Sequence, residues 1–277
     1  MPGTLYVVAT PIGNLDDLTV RARDTLSACD AVLAEDTRRT RKLLAHLGIG
    51  KPMRTFNAHA GADAVARVAQ EIADGANFSL VSDAGTPVIS DPGAELVRAV
   101  IERGGNVVAI PGPSAVLCAL AASGLAGHGF RFFGFLPRGG GDRSEVLSRV
   151  LATPEPVVIY EAGNRTRETL ADLAARAPDR RAAVARELTK MHEEFLRGTL
   201  AELATSVSDE LLGEVTIVLG EAPAISEVAM DDAVVDGHID RILGEGRGAK
   251  EVADIVAALS GRPRREVYAR VVARKSR

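Results

Sequence analysis

Short apolar runs alternate with amphipathic stretches along the first part of the chain. Short apolar runs bounded by turn residues predict strands, and apolar residues at helical spacing predict helices. The predicted strands are residues 5–10, 31–34, 78–82 and 106–110, and the predicted helices are residues 19–28, 39–47, 62–74, 94–103 and 114–122. Because apolar strands separated by helices are typical of a parallel sheet covered on both faces, the pattern predicts an α/β fold.

The alternation becomes less regular after residues 123–129, which contain three glycines. Strands are predicted at residues 131–135, 157–160, 182–185, 195–197 and 215–219. Helical stretches separate these strands at uneven intervals, which favours a mixed sheet. Glycine-rich segments are common at domain boundaries, so we expect two α/β lobes, residues 1–122 and 123–222.

A third segment, residues 230–277, follows a predicted linker at Pro223 and carries three short helical patterns, at residues 231–243, 250–259 and 264–272. The turn Ser260-Gly261-Arg262-Pro263 separates the last two, as in a helix-turn-helix element. Residues 262–277 contain seven basic residues and one acidic residue, Glu266, which indicates a local basic patch. We expect a small RNA-binding-like domain, and a helical cap that binds nothing is the alternative.

Composition excludes several classes of protein. The chain has 277 residues, a net charge of −4 and 46% hydrophobic residues, which is the balance of a globular protein without general affinity for nucleic acid. Two distant cysteines, the lack of a signal-peptide pattern and the lack of a long apolar run predict a soluble, cytoplasmic protein. The five histidines show no metal-ligand spacing, so no metal site is expected.

Three loops rich in glycine and proline follow predicted strands of the first lobe. They are residues 10–14, residues 82–93 and residues 111–115. Ligands of open α/β sheets bind at the carboxyl ends of the strands, and such loops allow the backbone to approach a ligand closely. None of them has the G-x-G-x-x-G or P-loop pattern, so a dinucleotide dehydrogenase or a P-loop NTPase is disfavoured. The alternative is that they are only tight turns.

Two charged clusters also follow predicted strands, at residues 35–42 and 185–194. Both mix basic residues with carboxylates, a combination that suits phosphate binding and proton transfer. Within them, Asp36, Glu187 and Lys190 are the candidate catalytic residues. A surface network of ion pairs is the alternative for the outward-facing members, and Asp36 could simply cap the helix that begins near Arg38.

Seven stretches occur in a characteristic order: LYVVATPIGNLDDLTVRA from Leu5, AEDTRRTRKLL from Ala34, SLVSDAGTPVISDPGAELV from Ser79, IPGPSA from Ile110, GFLPR from Gly134, ARELTKMHEE from Ala185 and RGTLAEL from Arg197. Over nearly its whole length, the chain thereby resembles the ribosomal RNA small-subunit methyltransferase I family. That family methylates the 2′-oxygen of a cytidine in 16S ribosomal RNA and has a tetrapyrrole-methylase-like fold.

The resemblance implies a homodimer of two α/β lobes, with S-adenosylmethionine in the cleft between the lobes and the small-subunit ribosomal RNA or the 30S subunit as partner. The two charged clusters supply the candidate substrate-binding residues, Arg38, Arg39 and Arg186, because arginine suits phosphate contact. One departure concerns the family's Y-E-S-P-H-R stretch, because Asn164 stands here in place of the histidine. The residues implied in cofactor binding are Thr10, Pro11, Asp83, Gly85, Thr86, Ser114, Ala115, Ala162 and Thr216.

Two other functions stay open. A methylase of tetrapyrroles or other small molecules would use the same fold, although the AEDTR and ARELTK motifs and the basic tail oppose it. A non-catalytic RNA-binding module would bind RNA without the cofactor, although the three loops argue against it.

Overall fold

The computed structural model describes residues 1–208, 211, 213–222, 231–260 and 262–275. The chain forms two compact units, Met1–Glu221 and Ala222–Arg277. The predicted linker at Pro223 and the glycine of the predicted turn, Gly261, lie outside the described residues. Within the described part of the chain, no helix is both long and apolar enough to cross a bilayer.

The first sheet has five parallel strands in the order β3-β2-β4-β1-β5. Apolar clusters cover both of its faces, one around Leu33 and Leu80 and the other around Val8 and Val32. This confirms the α/β prediction. The strands are β1 (Thr4–Val8), β2 (Ala31–Ala34), β3 (Met53–Thr55), β4 (Phe78–Val81) and β5 (Asn106–Ile110), and the helices are α1 (Val20–Ala28), α2 (Thr37–His46), α3 (Ala62–Ala73), α4 (Ala94–Glu102) and α5 (Ala115–Ser123).

The second sheet is mixed, as the irregular pattern predicted. Its order is β6-β7-β10-β8-β9, with β6 parallel to β7 and the other pairs antiparallel. Helices α6, α7 and α8 pack on one face of this sheet. The strands are β6 (Arg131–Phe135), β7 (Val157–Ala162), β8 (Arg181–Arg186), β9 (Glu194–Thr199) and β10 (Glu214–Leu219), and the helices are α6 (Gly140–Ala152), α7 (Gly163–Ala174) and α8 (Leu200–Ser206).

Helix α5 covers the other face of the second sheet. Its residues Val116, Ala119 and Leu120 are buried in the apolar cluster that contains Val158 and Val218. The last predicted element of the first lobe therefore packs on the strands of the second lobe, and both sheets belong to one compact unit. The division at residues 122 and 123 stays a prediction.

The second unit consists of three helices, α9 (Asp232–Gly244), α10 (Ala249–Ser260) and α11 (Arg264–Lys275), as predicted to within a few residues. Its core contains Val235, Ile239, Val252, Val256 and Val271. These residues recur at helical spacing, so each helix buries one stripe against the other two.

Ion pairs line the contact between α9 and α11. The carboxylates are Asp232, Asp236 and Asp240, which are four residues apart and so share one face of α9. Their partners are Arg262, Arg270 and Arg274, and Arg264 pairs with Asp254 of α10. Four arginines of the predicted basic patch are thus already bound to carboxylates within this unit. Whether the unit binds RNA stays a prediction.

Arg180 is a buried arginine, 1% exposed, in the turn before β8. Its guanidinium donates to five backbone carbonyl oxygens, those of Gly220 at 2.9 Å, Thr153 at 3.1 Å, and Val150, Leu151 and Glu155 at 3.3 Å. Burial lowers the pKa of this guanidinium. Arg180 therefore connects the end of α6, the end of β10 and the start of β8.

We predict that Arg180→Met destabilises the first unit. The variant fills most of the volume but leaves buried carbonyls without donors, which should lower the free energy of unfolding by about 3 kcal/mol. Urea unfolding followed by circular dichroism measures the change. The neighbouring exposed Arg181→Met is the control and should stay within ~0.5 kcal/mol of wild type. Equal stability of both variants would show that the carbonyls do not depend on Arg180.

Candidate active site

The three candidate loops lie side by side at one edge of the first sheet. Loop 1 (residues 10–14) follows β1, loop 2 (residues 82–93) follows β4, and loop 3 (residues 111–115) follows β5. Strands β4, β1 and β5 are neighbours and parallel, so their carboxyl ends point the same way. The strand order therefore brings together loops that are distant in sequence.

Hydrogen bonds join the loops to one another. The Thr10 amide donates to the Gly85 carbonyl at 2.8 Å, and the Gly85 amide donates to the Thr10 carbonyl at 3.0 Å. The Thr10 hydroxyl donates to the Ser82 carbonyl at 3.2 Å, and the Thr86 hydroxyl donates to the Pro113 carbonyl at 3.2 Å. The seven first-lobe residues predicted to contact the cofactor thus belong to one connected set of loops.

Backbone conformations in loop 2 are unusual. Gly85 has a φ of 83°, in the left-handed region that glycine adopts without strain. Val88 and Ser90 have φ values of 76° and 62°, which are uncommon for residues with a side chain and rare for a β-branched one. Such strain persists only where surrounding contacts hold it, and it is concentrated at functional sites.

Loop 1 lies directly against the charged segment that follows β8 in the second lobe. A Cβ atom at Gly13 would be 2.6 Å from Lys190 Cγ, 2.7 Å from the Leu188 carbonyl and 2.8 Å from Thr189 Oγ1. The Asn14 amide donates to Thr189 Oγ1 at 3.0 Å. The sheet edge of the first lobe is therefore fixed against the segment that carries Glu187 and Lys190.

The candidate cofactor residues of the second lobe lie on adjacent strands. Thr216 is a buried residue of β10, paired with Tyr160 of β7 and Ala185 of β8. Ala162 ends β7 and precedes α7. Ala115 of loop 3 packs in the same apolar cluster as Tyr160 and Ala185. Contact of Ala162 and Thr216 with a cofactor stays a prediction.

Asp36 caps α2, as the alternative interpretation proposed. Its carboxylate accepts the Arg38 amide at 2.8 Å and forms a bidentate ion pair with the Arg38 guanidinium. These hydrogen bonds lower the pKa of Asp36 to about 2. The Asp36 amide donates to Asp83 at 3.1 Å, and Arg39 lies 3.5 Å from the other Asp83 oxygen. Asp36 is therefore a well-ordered but weak base beside loop 2.

The second charged cluster forms its own ion pairs. Lys190 Nζ lies 2.8 Å from Glu187 Oε1, and Arg186 pairs with Glu194. Among the described residues, no hydrogen bond or ion pair connects Asp36 with Glu187 or Lys190. The structure thus brings Glu187 and Lys190 to loop 1 and Asp36 to loop 2, and the catalytic roles stay predictions.

Sequence reasoning missed Asp91 as an individual residue, although it lies in loop 2. Asp91 is half-buried, and the Ser82 side chain lies near its carboxylate. Burial raises its pKa to about 6, and the negative charges of Glu35, Glu214 and Asp83 add to this effect. The second Ser-Asp dipeptide of the loop was visible in the sequence, but burial depends on packing between distant segments.

Sequence reasoning also missed a buried network behind residues 136–138. Glu161, which is fully buried, accepts the Thr169 hydroxyl at 2.7 Å and lies 3.3 Å from Arg165 and 3.9 Å from Arg143. Both arginines donate to the Pro137 carbonyl. The network therefore holds the end of the GFLPR motif against α7, whose first turn contains the exposed Asn164.

No group of three or more metal-ligating side chains was found among the residues that the structure describes. Two cavities open near the three loops. One, of about 170 Å³, is lined by Thr10, Pro11, Ser82 and Asp83 together with α2 residues. The other, of about 250 Å³, is lined by Phe56 and other residues after β3, by Asp91 and by the start of α4.

Known proteins match this chain over most of its length. The family model of tetrapyrrole (corrin/porphyrin) methylases matches residues 4–204. A protein named ribosomal RNA small subunit methyltransferase I from Bacillus subtilis (strain 168) is 40% identical over 271 residues, covering 96% of this chain and 93% of that protein. The protein of the same name from Xylella fastidiosa (strain Temecula1) is 42% identical over 272 residues, covering 96% and 98%.

Solved structures share the fold at lower identity. Uroporphyrin-III C-methyltransferase from Thermus thermophilus, in complex with S-adenosylhomocysteine, has a TM-score of 0.57 and 22% identity, covering 79% of this chain and 98% of that chain. Diphthine synthase has a TM-score of 0.62 and 14% identity, covering 79% and 90%. These similarities confirm the predicted two-lobed, tetrapyrrole-methylase-like fold.

We predict that Gly13→Ala impairs the site without unfolding the protein. The added methyl would overlap the Leu188 carbonyl and Thr189, so loop 1 must move away from the second lobe. We expect affinity for S-adenosylmethionine to fall by ~10-fold or more, since displacing contacts worth about 1.4 kcal/mol changes affinity tenfold. Calorimetric titration measures this affinity. Gly50→Ala, where a methyl meets nothing within 4 Å, is the control. Unchanged affinity in Gly13→Ala would show that the contact between loop 1 and the second lobe does not contribute to cofactor binding.

Proposed function

Because this chain belongs to the ribosomal RNA small subunit methyltransferase I family within the tetrapyrrole methylases, we propose that it methylates the 2′-oxygen of a cytidine ribose in 16S ribosomal RNA. S-adenosylmethionine is the methyl donor in this proposal. The observation that carries it is about 40% identity over 96% of the chain with proteins of that name. The structural neighbours that act on porphyrinoids support the fold only, since their identity is 22% or less.

The three loops fit S-adenosylmethionine. Ser114 precedes α5 without making a side-chain capping bond, so the positive end of this helix is not covered by its own cap and favours a carboxylate nearby. Asp83 lines the 170 Å³ cavity and offers a negative charge to a cationic ligand. When bound, S-adenosylmethionine supplies a methyl group on a positively charged sulfur. The residues proposed to hold it are Thr10, Pro11, Asp83, Gly85, Thr86, Ser114, Ala115, Ala162 and Thr216.

Alignment is the main contribution that these loops can make. Methyl transfer is an in-line displacement, so the rate depends on how well the acceptor oxygen, the methyl carbon and the sulfur are aligned. The paired hydrogen bonds between Thr10 and Gly85 and the contact of Gly13 with the second lobe fix the loops before any ligand arrives. A rigid site loses little entropy when it orients the reactants.

The proposed RNA-binding residues are Arg38, Arg39 and Arg186. The Arg38 and Arg39 side chains are 85% and 68% exposed, and both lie at the start of α2 beside loop 2. Their partners are Asp36 and Asp83. Exposed ion pairs contribute little to stability, so a phosphate can replace or share these carboxylate contacts at low cost. Arginine suits this role because its planar group binds phosphate oxygens in pairs.

Three residues are proposed to act near the ribose. Asp36, held by Arg38, is suited to orient the hydroxyl through a hydrogen bond. Lys190, paired with Glu187 at 2.8 Å, is suited to stabilise negative charge that develops on the oxygen. Asn164 has no acidic or basic side chain, so no proton transfer is assigned to that position.

We further propose that the protein acts as a cytoplasmic homodimer on the 30S subunit or its RNA. The second unit would then contribute to RNA binding through basic side chains that form no ion pair within the described part of that unit. Arg265 and Lys275 of α11 are exposed, and neither forms an ion pair within the described residues. Phosphate contacts of this kind make binding sensitive to salt.

The proposed function predicts which acceptor receives the methyl group. Purified protein is incubated with S-adenosylmethionine labelled in the methyl group and with either 30S subunits that lack the modification or a porphyrinoid. We expect label in the 16S RNA, at one cytidine whose 3′ linkage resists alkaline hydrolysis because its 2′-oxygen is blocked. Label in the porphyrinoid and none in RNA would indicate a small-molecule methylase. RNA binding without cofactor binding would indicate a non-catalytic module.

A second prediction concerns Asp36. Asp36→Asn keeps the shape and the capping oxygen but removes the charge that holds Arg38. If Asp36 orients the hydroxyl, single-turnover methylation should fall by ~10²-fold, because small errors in alignment are costly. Affinities for cofactor and RNA should change little. Asp24→Asn, which removes a similar exposed partner of Arg23, is the control. A rate within a few-fold of wild type would leave Asp36 as a helix cap only.

A further inference from the structure

An exposed aromatic side chain lies at the end of β6, beside the candidate site. Phe135 is 48% exposed, and its ring centroid lies 5.4 Å from that of Tyr160 on the neighbouring strand β7. Tyr160 pairs with Thr216 and precedes Ala162 by two residues, and both of these are proposed to hold the cofactor. Side chains two residues apart on a strand share a face of the sheet. Phe135 therefore lies next to the second-lobe part of the proposed donor site.

Loop 2 of the first lobe meets β6 at the residue before Phe135. A Cβ atom at Gly134 would be 2.8 Å from Ser90 Oγ, and the φ of Gly134 is 67°, which glycine adopts without strain. Ile89 is 48% exposed and lies between Val88 and Ser90, whose backbones are left-handed. Single exposed apolar side chains are common on protein surfaces. Here one from each lobe occurs at the same contact, beside strained backbone of the kind found at functional sites.

Buried charge holds the chain that follows Phe135. The Pro137 carbonyl accepts hydrogen bonds from Arg143 at 3.2 Å and from Arg165 at 3.0 Å. The fully buried Glu161 lies 3.9 Å and 3.3 Å from the same two arginines. Phe135 therefore belongs to a segment that the protein fixes by its own contacts, and a fixed segment loses little entropy when it binds a ligand.

A cation without a partner follows in the same motif. Arg138 is exposed, and its side chain forms no hydrogen bond or ion pair within the part of the chain that the structure describes. Arg165 and Arg186 of the same lobe are by contrast paired with carboxylates. Three residues span at most about 10 Å, so Arg138 lies within the length of one nucleotide from Phe135. Its guanidinium is suited to bind phosphate oxygens.

We infer that Phe135 stacks on the base of the target cytidine and that Arg138 binds a neighbouring phosphate. The inference rests on the proposed function and adds to it how the acceptor nucleotide is held. Every base has a flat face that stacks on an aromatic ring, once the base is turned away from its neighbours in the RNA. Ile89 supplies an apolar contact from loop 2. A base held at Phe135 keeps its ribose within reach of the loops proposed to bind the methyl donor.

Single-turnover methylation of 30S subunits tests the stacking. Phe135→Leu keeps an apolar side chain but removes the flat ring, so the subunit concentration at half-maximal rate should rise by ~10-fold or more. Phe135→Tyr keeps the ring and should recover most of this loss. Phe130→Leu is the matched control, since Phe130 is 40% exposed at the opposite end of β6, and it should stay within a few-fold of wild type. Affinity for S-adenosylmethionine, measured by calorimetry, should be unchanged in all three variants.

The salt dependence of 30S binding tests the phosphate contact. Arg138→Gln should weaken binding and reduce the slope of log affinity against log salt by ~0.7 to 0.9, the contribution of one phosphate contact. Arg131→Gln is the matched control. Arg131 is also exposed, at the start of β6, and its side chain likewise has no partner among the described residues. Its substitution should leave the slope unchanged.

Tryptophan fluorescence reports on stacking without depending on activity. The chain contains no tryptophan, so Phe135→Trp and Phe130→Trp each introduce a single one. Wild-type protein mixed with the same 30S subunits gives the background. A base that stacks on the indole should quench the emission of Phe135→Trp and leave that of Phe130→Trp unchanged.

The outcomes are distinguishable. A Phe135→Leu variant within a few-fold of wild type, equal losses in Phe135→Leu and Phe135→Tyr, or equal quenching in the two tryptophan variants would overturn the stacking and leave the proposed function intact. Loss of cofactor affinity in Phe135→Leu would assign the ring to the donor site instead. An unchanged salt slope in Arg138→Gln would overturn the phosphate contact. Wild-type protein that methylates no RNA would overturn the proposed function, and the inference would fall with it.

Discussion

The paired backbone hydrogen bonds between Thr10 and Gly85 are the constraint on which the site depends. They join the ends of two parallel strands by a short antiparallel bridge, so loops 1 and 2 hold a common position above the sheet. At this bridge Gly85 has a φ of 83°, a left-handed conformation that glycine adopts without strain. A hydrogen bond from the Thr86 hydroxyl to the Pro113 carbonyl connects loop 3 to loop 2. Three flexible-looking sequences thereby become one rigid surface.

The second lobe contacts these loops most closely at Gly13 of loop 1. Its segment after β8 passes so close that a side chain at position 13 has no space, and Glu187 and Thr189 adopt φ values of 50° and 63° there. Helix α5 starts in loop 3 and packs on the second sheet, which fixes the lobes to each other through apolar contacts as well. The residues proposed to hold the methyl donor and those proposed to act on the acceptor are therefore positioned by the same contacts.

Charge in this protein is divided between stability and chemistry. In the second unit, arginines of α11 are bound by a row of aspartates on α9, so much of the basic tail serves the packing of its own helices. In the first unit, Arg180 donates hydrogen bonds to backbone carbonyls, and Glu161 forms ion pairs with Arg143 and Arg165. The site differs, since Asp91 and Glu35 are desolvated beside other carboxylates, which raises the pKa of both.

Much of this fold could be predicted from the sequence, because the strands of the first sheet are short apolar runs between turn residues. β3 could not, since Met53–Thr55 is a short edge strand with exposed polar residues and carries no apolar run. The three loops were predicted because glycine and proline mark them directly. The partial burial of Asp91 could not be predicted, because it depends on packing between distant segments. The aspartate row of α9 had the required four-residue spacing, but its partners lie about thirty residues away.

Mapping of 2′-O-methyl groups in 16S ribosomal RNA is the most direct measurement of what this site does in the cell. RNA is compared from cells with the protein, cells without it, and cells without it that carry a restored copy. If the site transfers methyl groups to a ribose, one cytidine loses its 2′-O-methyl group in the cells without the protein and regains it on restoration. An unchanged pattern of 2′-O-methylation in all three would contradict it.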